Sequence, residues 1–559
     1  MMRDICPPKN ASLGLTTFAL AICAALSVGC ATDELDDVGD ETAASDTGDG
    51  DGDTGETREG APARGIHITE VEANQGTAIL IGKDGEWVGP GDRNAFMIRD
   101  RDTLVRLQHT VDEGWIPREI VGVLHIRDEV SGEELATRKR SLVVQGPSDP
   151  KKLDSEFYFS ILADEAQPGL SYWVELLEVD GALDPAVQAL SEGVNVTPDD
   201  YRLVGYEQTP LEMKVMVVPI HYTWVDPPTL VEPTEADLQL VHDDLLQTNP
   251  LQTVTLLLHE PYEYTNHLTN LGSLLGPMSA LRNNETEDPN VYYHALVDVR
   301  GPAVNMVAGI AQLTGDSKDS ASSRVAATVW FKQNPDVPPA GSSGTIVHEV
   351  GHNQGLSHVF CPGAATTAAG PDPSYPHDGG TIGVYGFGIR SFKLYTPTAA
   401  HDYMTYCGNA WVSDWTWNKT YKRIQTLTSW DYAGAPQGGS SAGTSPKVPL
   451  LVGTLFADGS EDWLVMMGPA PSSDQLGSEQ RIALARDGEI VAALYSAVSR
   501  LSDNETVMLT APLTIPAAEL AGIQAIQRVD WRGDSHPVAL ESIHVDHGVK
   551  LAADPAAVR

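Results

Sequence analysis

The most informative stretch of this chain runs from His348 to His358 and reads HEVGHNQGLSH. Its first two histidines, His348 and His352, are four residues apart, so on an α-helix both imidazoles leave the same face one turn apart. Two neutral imidazole nitrogens at this spacing can reach one zinc ion at roughly 2.0–2.1 Å. The sequence therefore predicts a metal-binding helix, and Ser342 or Ser343 is suited to cap its N-terminus.

The other residues of this stretch predict a catalytic metal site rather than a structural one. Glu349 would project toward the open side of the metal, where its carboxylate can take a proton from a zinc-activated water. Gly355 can adopt a left-handed conformation that ends the helix and turns the chain, which brings His358 back as a third ligand. Three protein ligands leave a fourth position for water. The alternative is a helix that carries surface histidines.

A second motif lies downstream, at residues 400–407, and reads AHDYMTYC. Together, the stretch 348–358 and Met404 resemble the active site of the metzincin zinc metalloproteases, in which a methionine turn lies beneath the metal. The resemblance covers roughly residues 210–430, with sharp motifs only at the two stretches just quoted. The first part of the motif is similar to secreted bacterial metzincins of the mucin-cleaving type. The continuation LSHVF is similar to pappalysins, so the subfamily stays open.

The resemblance implies a role for each motif residue. Glu349 would act first as general base and then as general acid, and Met404 would form a hydrophobic floor under the histidines. Tyr406, two residues after that methionine, would steady the oxyanion, although simple packing of its ring is the alternative. One catalytic zinc ion is implied; the acidic loops could also bind calcium, but no complete calcium-binding loop motif is present. The implied zinc ligands are His348, His352 and His358.

Composition limits the classes of partner. The chain has 559 residues, enough for about three or four domains, and its hydrophobic content of 42% is ordinary for a globular protein. Its 77 acidic and 36 basic residues give a net charge of −41. That balance argues against nucleic acid or an anionic membrane surface as a partner, because phosphate contacts need clustered Lys and Arg. A protein or glycoprotein substrate is the expected partner.

The N-terminus has the organisation of an export signal. Arg3 and Lys9 precede a mainly apolar run at 11–28, which ends in LSVGC. The small residue before Cys30 resembles a bacterial lipoprotein cleavage site, although the leucine lies one position further from the cysteine than is usual. We therefore predict a lipid anchor on Cys30 in the cell envelope, with an ordinary secretory signal as the alternative. Residues 31–65 carry twelve acidic residues against two arginines and read as a disordered linker.

Two cysteines would remain in the rest of the exported chain. Cys361 lies three residues after His358, and Cys407 lies three residues after Met404. Because both flanks should converge on the same metal, we expect a disulfide between these cysteines in an oxidising compartment. Two free buried thiols are the alternative, and a role as zinc ligands is not expected beside three histidines.

Strand and helix patterns predict a multidomain chain whose α+β catalytic domain contains an α/β-type subdomain and is flanked by β-sandwich-like domains. A strand at 326–331 would lie nearest the zinc helix, and an extended peptide could add to its edge if that edge is open. The predicted segments are a signal peptide at 1–30, an acidic linker at 31–65, a β domain at 66–206, the catalytic domain at 207–433, a linker at 434–446 and a C-terminal β domain at 447–559.

Other histidines and tryptophans near the motifs are interpreted more simply. His377 and His401 are expected to be surface or hydrogen-bonded residues rather than ligands, because the three-histidine set is complete. The three tryptophans after the methionine turn are expected to start a core helix rather than to wall a substrate pocket. They are Trp411, Trp415 and Trp417.

The residues together favour a zinc-dependent endopeptidase that hydrolyses peptide bonds of extracellular proteins. Two alternatives stay open. One is a surface-anchored binding or adhesion protein with a vestigial metal site, which the intact Glu349 argues against because a binding protein needs no general base. The other is a protease directed at glycoproteins such as mucin, in which a β domain would recognise glycan.

Overall fold

The computed structural model describes residues 60–179, 183–193, 196–286, 288–362, 370–431, 446–513, 522–530 and 532–546. The predicted signal segment and most of both predicted linkers lie outside these residues. The described part is divided into several packed units, with many strands and few helices. None of its helices is long and apolar enough to cross a membrane.

The N-terminal unit is built from two antiparallel sheets that share a hydrophobic core. Alternating buried positions along the strands, as in Leu170–Glu178, give each sheet one apolar face. The five-stranded sheet has the order β3-β2-β1-β5-β8, and the four-stranded sheet has the order β10-β9-β6-β7. The elements are β1 Ile66–Asn74, β2 Ala78–Lys83, β3 Glu86–Trp87, β4 Met97–Ile98, β5 Thr103–Val111, β6 Arg118–Asp128, β7 Glu134–Val144, β8 Phe157–Ile161, β9 Leu170–Glu178, α1 Pro185–Gln188, β10 Val196–Leu203 and β11 Tyr206–Glu207.

The central unit contains both sequence motifs. Its strands β12, β14, β16 and β18 pair in parallel, and helices pack against them, which gives this unit an α/β-type subdomain. The elements are β12 Glu212–Tyr222, β13 Thr229–Leu230, α2 Glu235–Thr248, β14 Thr253–Leu258, β15 Tyr262–Tyr264, α3 Leu275–Glu285, β16 Val291–Val297, β17 Gly309–Ala311, β18 Val325–Val329, α4 Ala340–Asn353, β19 Gly386–Gly388, β20 Lys393–Tyr395, β21 His401–Asp402, β22 Ala410–Trp411 and α5 Asp414–Thr428.

The predicted strand at 326–331 corresponds to β18, which is paired on both of its edges. β18 lies between β16, with which it is parallel, and β17, with which it is antiparallel. The sequence analysis missed β17 because its three residues, Gly-Ile-Ala, are too few for a periodic pattern. The edge of the sheet nearest the motif helix is therefore β17, and the open edge that peptide addition to residues 326–331 would require is not offered by β18.

The motif helix α4 begins earlier than the sequence indicated. Its N-cap position is Pro339, so Ser342 and Ser343 lie inside the first turn and do not cap it. Both hydroxyls instead bind neighbouring elements: Ser342 Oγ donates to Val329 O at 2.9 Å, and Ser343 Oγ donates to an Asp244 carboxylate oxygen at 2.6 Å. These two bonds fix the helix against β18 and α2.

The tryptophans after the methionine turn join the central unit to the N-terminal sandwich. The Trp411 indole donates to Gly76 O at 2.7 Å, and the Trp417 indole donates to Phe96 O at 2.9 Å. Both side chains are buried, whereas Trp415 is partly buried at the margin of the same core. Core packing is thus the role of Trp411 and Trp417, as the sequence indicated, but Trp411 lies in β22 and not in the helix α5 that contains Trp415 and Trp417.

The C-terminal unit is one eight-stranded sheet with the order β29-β28-β25-β26-β27-β23-β24-β30. Alternate residues of β23 face two different cores: Leu450 and Val452 pack with the central unit, while Leu451 packs within the C-terminal unit. This unit therefore shares a hydrophobic core with the central unit. Its strands are β23 Lys447–Leu455, β24 Glu461–Pro469, β25 Leu476–Arg486, β26 Glu489–Arg500, β27 Val507–Pro512, β28 Ala525–Val529, β29 Ser535–Val538 and β30 Ile543–Val545.

Candidate active site

Helix α4 brings the first two motif histidines together. Its apolar face, which includes Ile346 and Val350, is buried, so the residues beside it are held inside the protein. The Nε2 atoms of His348 and His352 lie 3.1 Å apart, which is one helical turn apart on the same face. The Nε2 atoms of both rings are therefore close enough to bind the same metal ion.

The chain turns sharply after α4 and returns the third histidine. Gly355 has a φ of +86°, a left-handed conformation that favours glycine, and a Cβ there would lie 3.2 Å from Thr314 O. After this turn, the His358 ring centroid lies 4.6 Å from that of His352 and 5.3 Å from that of His348. One potential ligand atom from each histidine lies within 4.8 Å of the others.

The backbone fixes which nitrogen of two histidines faces the centre of this group. His348 Nδ1 donates to Tyr403 O at 2.7 Å, and His352 Nδ1 donates to Leu356 O at 2.8 Å. In the neutral rings, Nε2 therefore keeps its lone pair. Burial lowers the pKa of His348 to about 4 and lowers that of His352 well below its usual value. Neutral, convergent imidazoles are a donor set that fits zinc.

The methionine turn lies beneath α4. Met404 is fully buried, and a Cβ at Gly351 would come within 2.5 Å of its Sδ, so the helix and the turn approach as closely as glycine allows. The turn is held by Asp402, whose carboxylate accepts bonds from Met404 N–H at 2.9 Å and from Ser413 Oγ at 2.6 Å. The sequence analysis did not assign Asp402 a role, although it stands two residues before the methionine.

Glu349 lies beside the histidine group but faces the edge strand β17. Its side chain packs against Gly309 of that strand, and only 4% of the residue is exposed. Its Oε2 lies 3.4 Å from the Ser502 hydroxyl of the C-terminal unit. Burial raises the pKa of the Glu349 carboxyl well above its usual value. A carboxylate with a raised pKa next to a metal-binding group is suited to proton transfer.

The ring of Tyr406 lies close to two of the motif histidines. Its ring centroid lies 4.8 Å from that of His358 and 5.9 Å from that of His348, and 45% of the residue is exposed. Burial, with added repulsion from the charges of Glu349 and Asp503, raises the pKa of Tyr406 to about 12. The phenol therefore stays protonated near neutral pH and can donate a hydrogen bond.

A disulfide joins the loop after His358 to the methionine turn. Cys361 and Cys407 are bonded, with their Cα atoms 6.1 Å apart, which confirms the expected pair. Because both sulfurs are used, the cluster that these cysteines form with His401 does not offer a metal site. His401 Nδ1 pairs with Gly408 O at 3.1 Å, and His377 Nε2 pairs with Asp414 at 2.7 Å.

Ser502 is the residue near Glu349 that sequence reasoning missed entirely. It lies 153 residues from Glu349, in a loop of a different unit, and no motif surrounds it. Only the packing of the C-terminal sheet on the central unit brings it to the site. No local signal in the sequence could have identified it.

Residues 251–359 match the model of the family described as Metallo-peptidase family M12B Reprolysin-like. The matched segment makes up about a fifth of the chain and ends just after His358. This match supports a metalloprotease, in agreement with a histidine group that could hold a metal ion. A comparison with curated proteins found no match.

Solved structures share little with this chain. It is 14% identical to a putative beta-galactosidase from Bacteroides fragilis, with 42% of this chain and 39% of that one covered and a TM-score of 0.13. It is 8% identical to a calcium-binding mutant of Bacteroides uniformis beta-glucuronidase 2, with coverages of 42% and 30% and a TM-score of 0.14. The chain thus spans between 30% and 39% of the length of these two proteins, and scores this low support no functional argument.

Proposed function

We propose that this chain is a metzincin-type, zinc-dependent endopeptidase that hydrolyses peptide bonds of extracellular proteins. The observation that carries the proposal is the convergence of three imidazoles, two of them buried and that of His348 partly buried, beside one buried carboxylate. His348, His352 and His358 would hold the metal through ring nitrogens that lie within 4.8 Å of one another. The match to an M12B metallopeptidase model supports the same chemistry.

In peptide hydrolysis, the side chain of Glu349 would transfer the proton and that of Tyr406 would stabilise the developing charge. Bound zinc would act as a Lewis acid that polarises the scissile carbonyl and makes water more acidic. Glu349 accepts the proton of the attacking water and then donates it to the leaving amine, which its raised pKa favours. The Tyr406 phenol donates a hydrogen bond to the oxyanion as negative charge develops there. Met404 supports the helix and the ligands from below.

The experiment that tests this function is casein digestion by three forms of the full chain. Wild-type protein supplied with one equivalent of zinc should release peptides, and a zinc chelator should stop the release. Glu349→Gln, which keeps the shape of the side chain and removes its charge, should lose at least about a hundredfold in rate while it still binds zinc. Equal cleavage by wild type and Glu349→Gln would remove Glu349 from the mechanism.

We also propose that the protein is exported and anchored to the cell envelope through lipid on Cys30. The Cys361–Cys407 disulfide supports an oxidising compartment, because such bonds are rare in the cytosol. Metabolic labelling with palmitate should mark the wild-type chain and not Cys30→Ala. Equal labelling of the two chains, or secretion of both without lipid, would contradict the anchor.

A further inference from the structure

A loop of the C-terminal unit reaches the candidate active site. Residues Leu501–Thr506 join β26 to β27 and are called here the cleft loop. Leu501 is fully buried in the core that the C-terminal and central units share. It also forms an antiparallel bridge with Gln312, the residue that follows β17. The cleft loop is thus fixed to the edge of the sheet nearest the motif helix α4.

The cleft loop forms hydrogen bonds with the N–H and C=O groups of β17 that point away from the sheet. Ser502 N–H donates to Ala311 O at 2.9 Å, and Ala311 N–H donates to Ser502 Oγ at 3.0 Å. An extended peptide that added to this edge as a new strand would need the same two groups of Ala311. The cleft loop and an added peptide strand therefore exclude each other at this position.

The same serine also contacts the carboxylate that the mechanism requires. Ser502 Oγ lies 3.4 Å from Glu349 Oε2, so its hydroxyl accepts from Ala311 and donates toward Glu349. Glu349 and Ser502 are both buried, with 4% and 7% of their surfaces exposed. The cleft loop covers part of the general base as well as part of the edge strand.

The cleft loop is held in this shape by its own hydrogen bonds. The Asp503 carboxylate accepts bonds from Thr506 N–H at 2.9 Å and from Glu505 N–H at 3.1 Å. Leu501 N–H donates to Thr506 O at 3.0 Å and closes the base of the loop. Asn504 has a φ of +56°, which asparagine tolerates better than most residues. A preorganised loop loses little entropy when it occupies the edge, so it is an effective competitor.

We propose that the cleft loop is a built-in inhibitor, which occupies the peptide-binding edge at Ala311 and covers Glu349 until it is displaced. This inference rests on the proposed peptidase function and adds a regulatory element to it. The core shared by the two units, which includes Leu501, resists departure of the whole C-terminal sheet, so residues 502–505 alone would have to be displaced. Substrate binding at this edge therefore requires withdrawal of residues 502–505.

The main test shortens the cleft loop in the full chain. Replacement of residues 502–505 by Asn-Gly keeps Leu501 and Thr506 and gives a two-residue hairpin turn. With zinc bound, we expect kcat/KM for the oxidised insulin B chain to rise at least about tenfold, mainly through a lower KM. The same peptide, labelled with fluorescein, should bind metal-free shortened protein at least about tenfold more tightly than metal-free wild type, as measured by anisotropy.

A milder variant covers the case in which the shortened chain does not fold. Ser502→Ala removes both hydroxyl contacts and keeps the bond from the residue 502 amide to Ala311 O, so a rise of about threefold in peptide affinity is expected. Its matched control is Ser460→Ala, which removes an exposed hydroxyl bonded to Asp458 in another loop of the same sheet. The control should leave peptide binding and cleavage unchanged.

The outcomes separate this inference from the proposed function. Unchanged or weaker peptide binding by both loop variants would overturn the inference, even if every form cleaves peptide. Reduced cleavage by Ser502→Ala together with unchanged binding would also overturn it, because the serine would then assist catalysis. If no form cleaves peptide but loop shortening still tightens peptide binding, the proposed peptidase function is wrong. The inference that the cleft loop occupies a peptide-binding edge is then still supported.

Discussion

At the scale of single residues, the site depends on where each polar atom points. His348 and His352 direct Nε2 inward because backbone carbonyls take the Nδ1 protons. Tyr406 is the residue whose role can be separated from metal binding, because its ring lies beside the histidines and its phenol stays protonated.

Tyr406→Phe should lower kcat and leave KM and zinc affinity nearly unchanged. The substitution keeps the ring that packs near His358 and removes only the hydroxyl, which would donate to charge that develops in the transition state. A loss of about a hundredfold is expected for an oxyanion donor. Steady-state kinetics on a peptide substrate measures it, and a purely higher KM would show that the phenol binds substrate instead.

A buried histidine outside the motif makes stability depend on pH. His294 is fully buried in β16, and burial lowers its pKa to about 3. In the unfolded chain a histidine titrates near about 6.5, so between these values only the unfolded state binds the proton. The free energy of unfolding should therefore fall as the pH decreases below 6.5, by up to about 1.4 kcal/mol per pH unit.

His294→Gln tests this dependence because glutamine can still pair with Thr328, the partner of the histidine ring at 2.8 Å. Urea denaturation of metal-free protein between about pH 4 and pH 7 should give a shallower slope for the variant than for wild type. Identical slopes would show that His294 is not the titrating group.

At the scale of elements, the sequence predicted the features that depend on a few consecutive residues. The helix–turn–histidine unit and the methionine turn each occupy a few consecutive residues, so spacing and residue type were enough. The helix start was wrong because Ser342 and Ser343 had bonding partners in β18 and α2, which no local pattern reveals. β17 was not predicted because it has only three residues, and the edge strand of the sheet was therefore not identified from the sequence.

The disulfide should stabilise the site by joining two of these elements. Cys361 and Cys407 are 46 residues apart, and closure of a loop of this length in the unfolded chain typically contributes about 2–4 kcal/mol. The double variant Cys361→Ser/Cys407→Ser should lose that amount in urea denaturation of metal-free protein. Reduced wild type should behave like the variant, and equal stability of oxidised and reduced wild type would contradict the prediction.

At the scale of the whole molecule, the C-terminal sheet shares a hydrophobic core with the central unit. Sequence composition indicated a separate β domain behind a linker, and it could not show that alternate residues of β23 face a core shared with α3 and β16. Such a core depends on the relative placement of units that are distant in sequence. Thermal unfolding can detect it.

Val452→Asp should lower the unfolding temperature of the central and C-terminal units together. Val452 is 4% exposed within the shared core, and an unpaired buried charge costs about 3 kcal/mol or more. The matched control is Val498→Asp, because Val498 lies in the same sheet and is 40% exposed. Calorimetry should show one shifted transition for Val452→Asp and little change for the control. Two transitions, of which only one shifts, would mean that the units unfold independently.

The zinc content of purified protein decides whether the three histidines form a metal site. Mass spectrometry of metals should find one zinc per chain in wild type and in Glu349→Gln, because the carboxylate is not a ligand in this account. His352→Ala should lose the metal, since two imidazoles remain in place of three. Wild-type protein that holds no stoichiometric zinc after exposure to it, or a His352→Ala chain that keeps zinc as firmly as wild type, would contradict the three-histidine site.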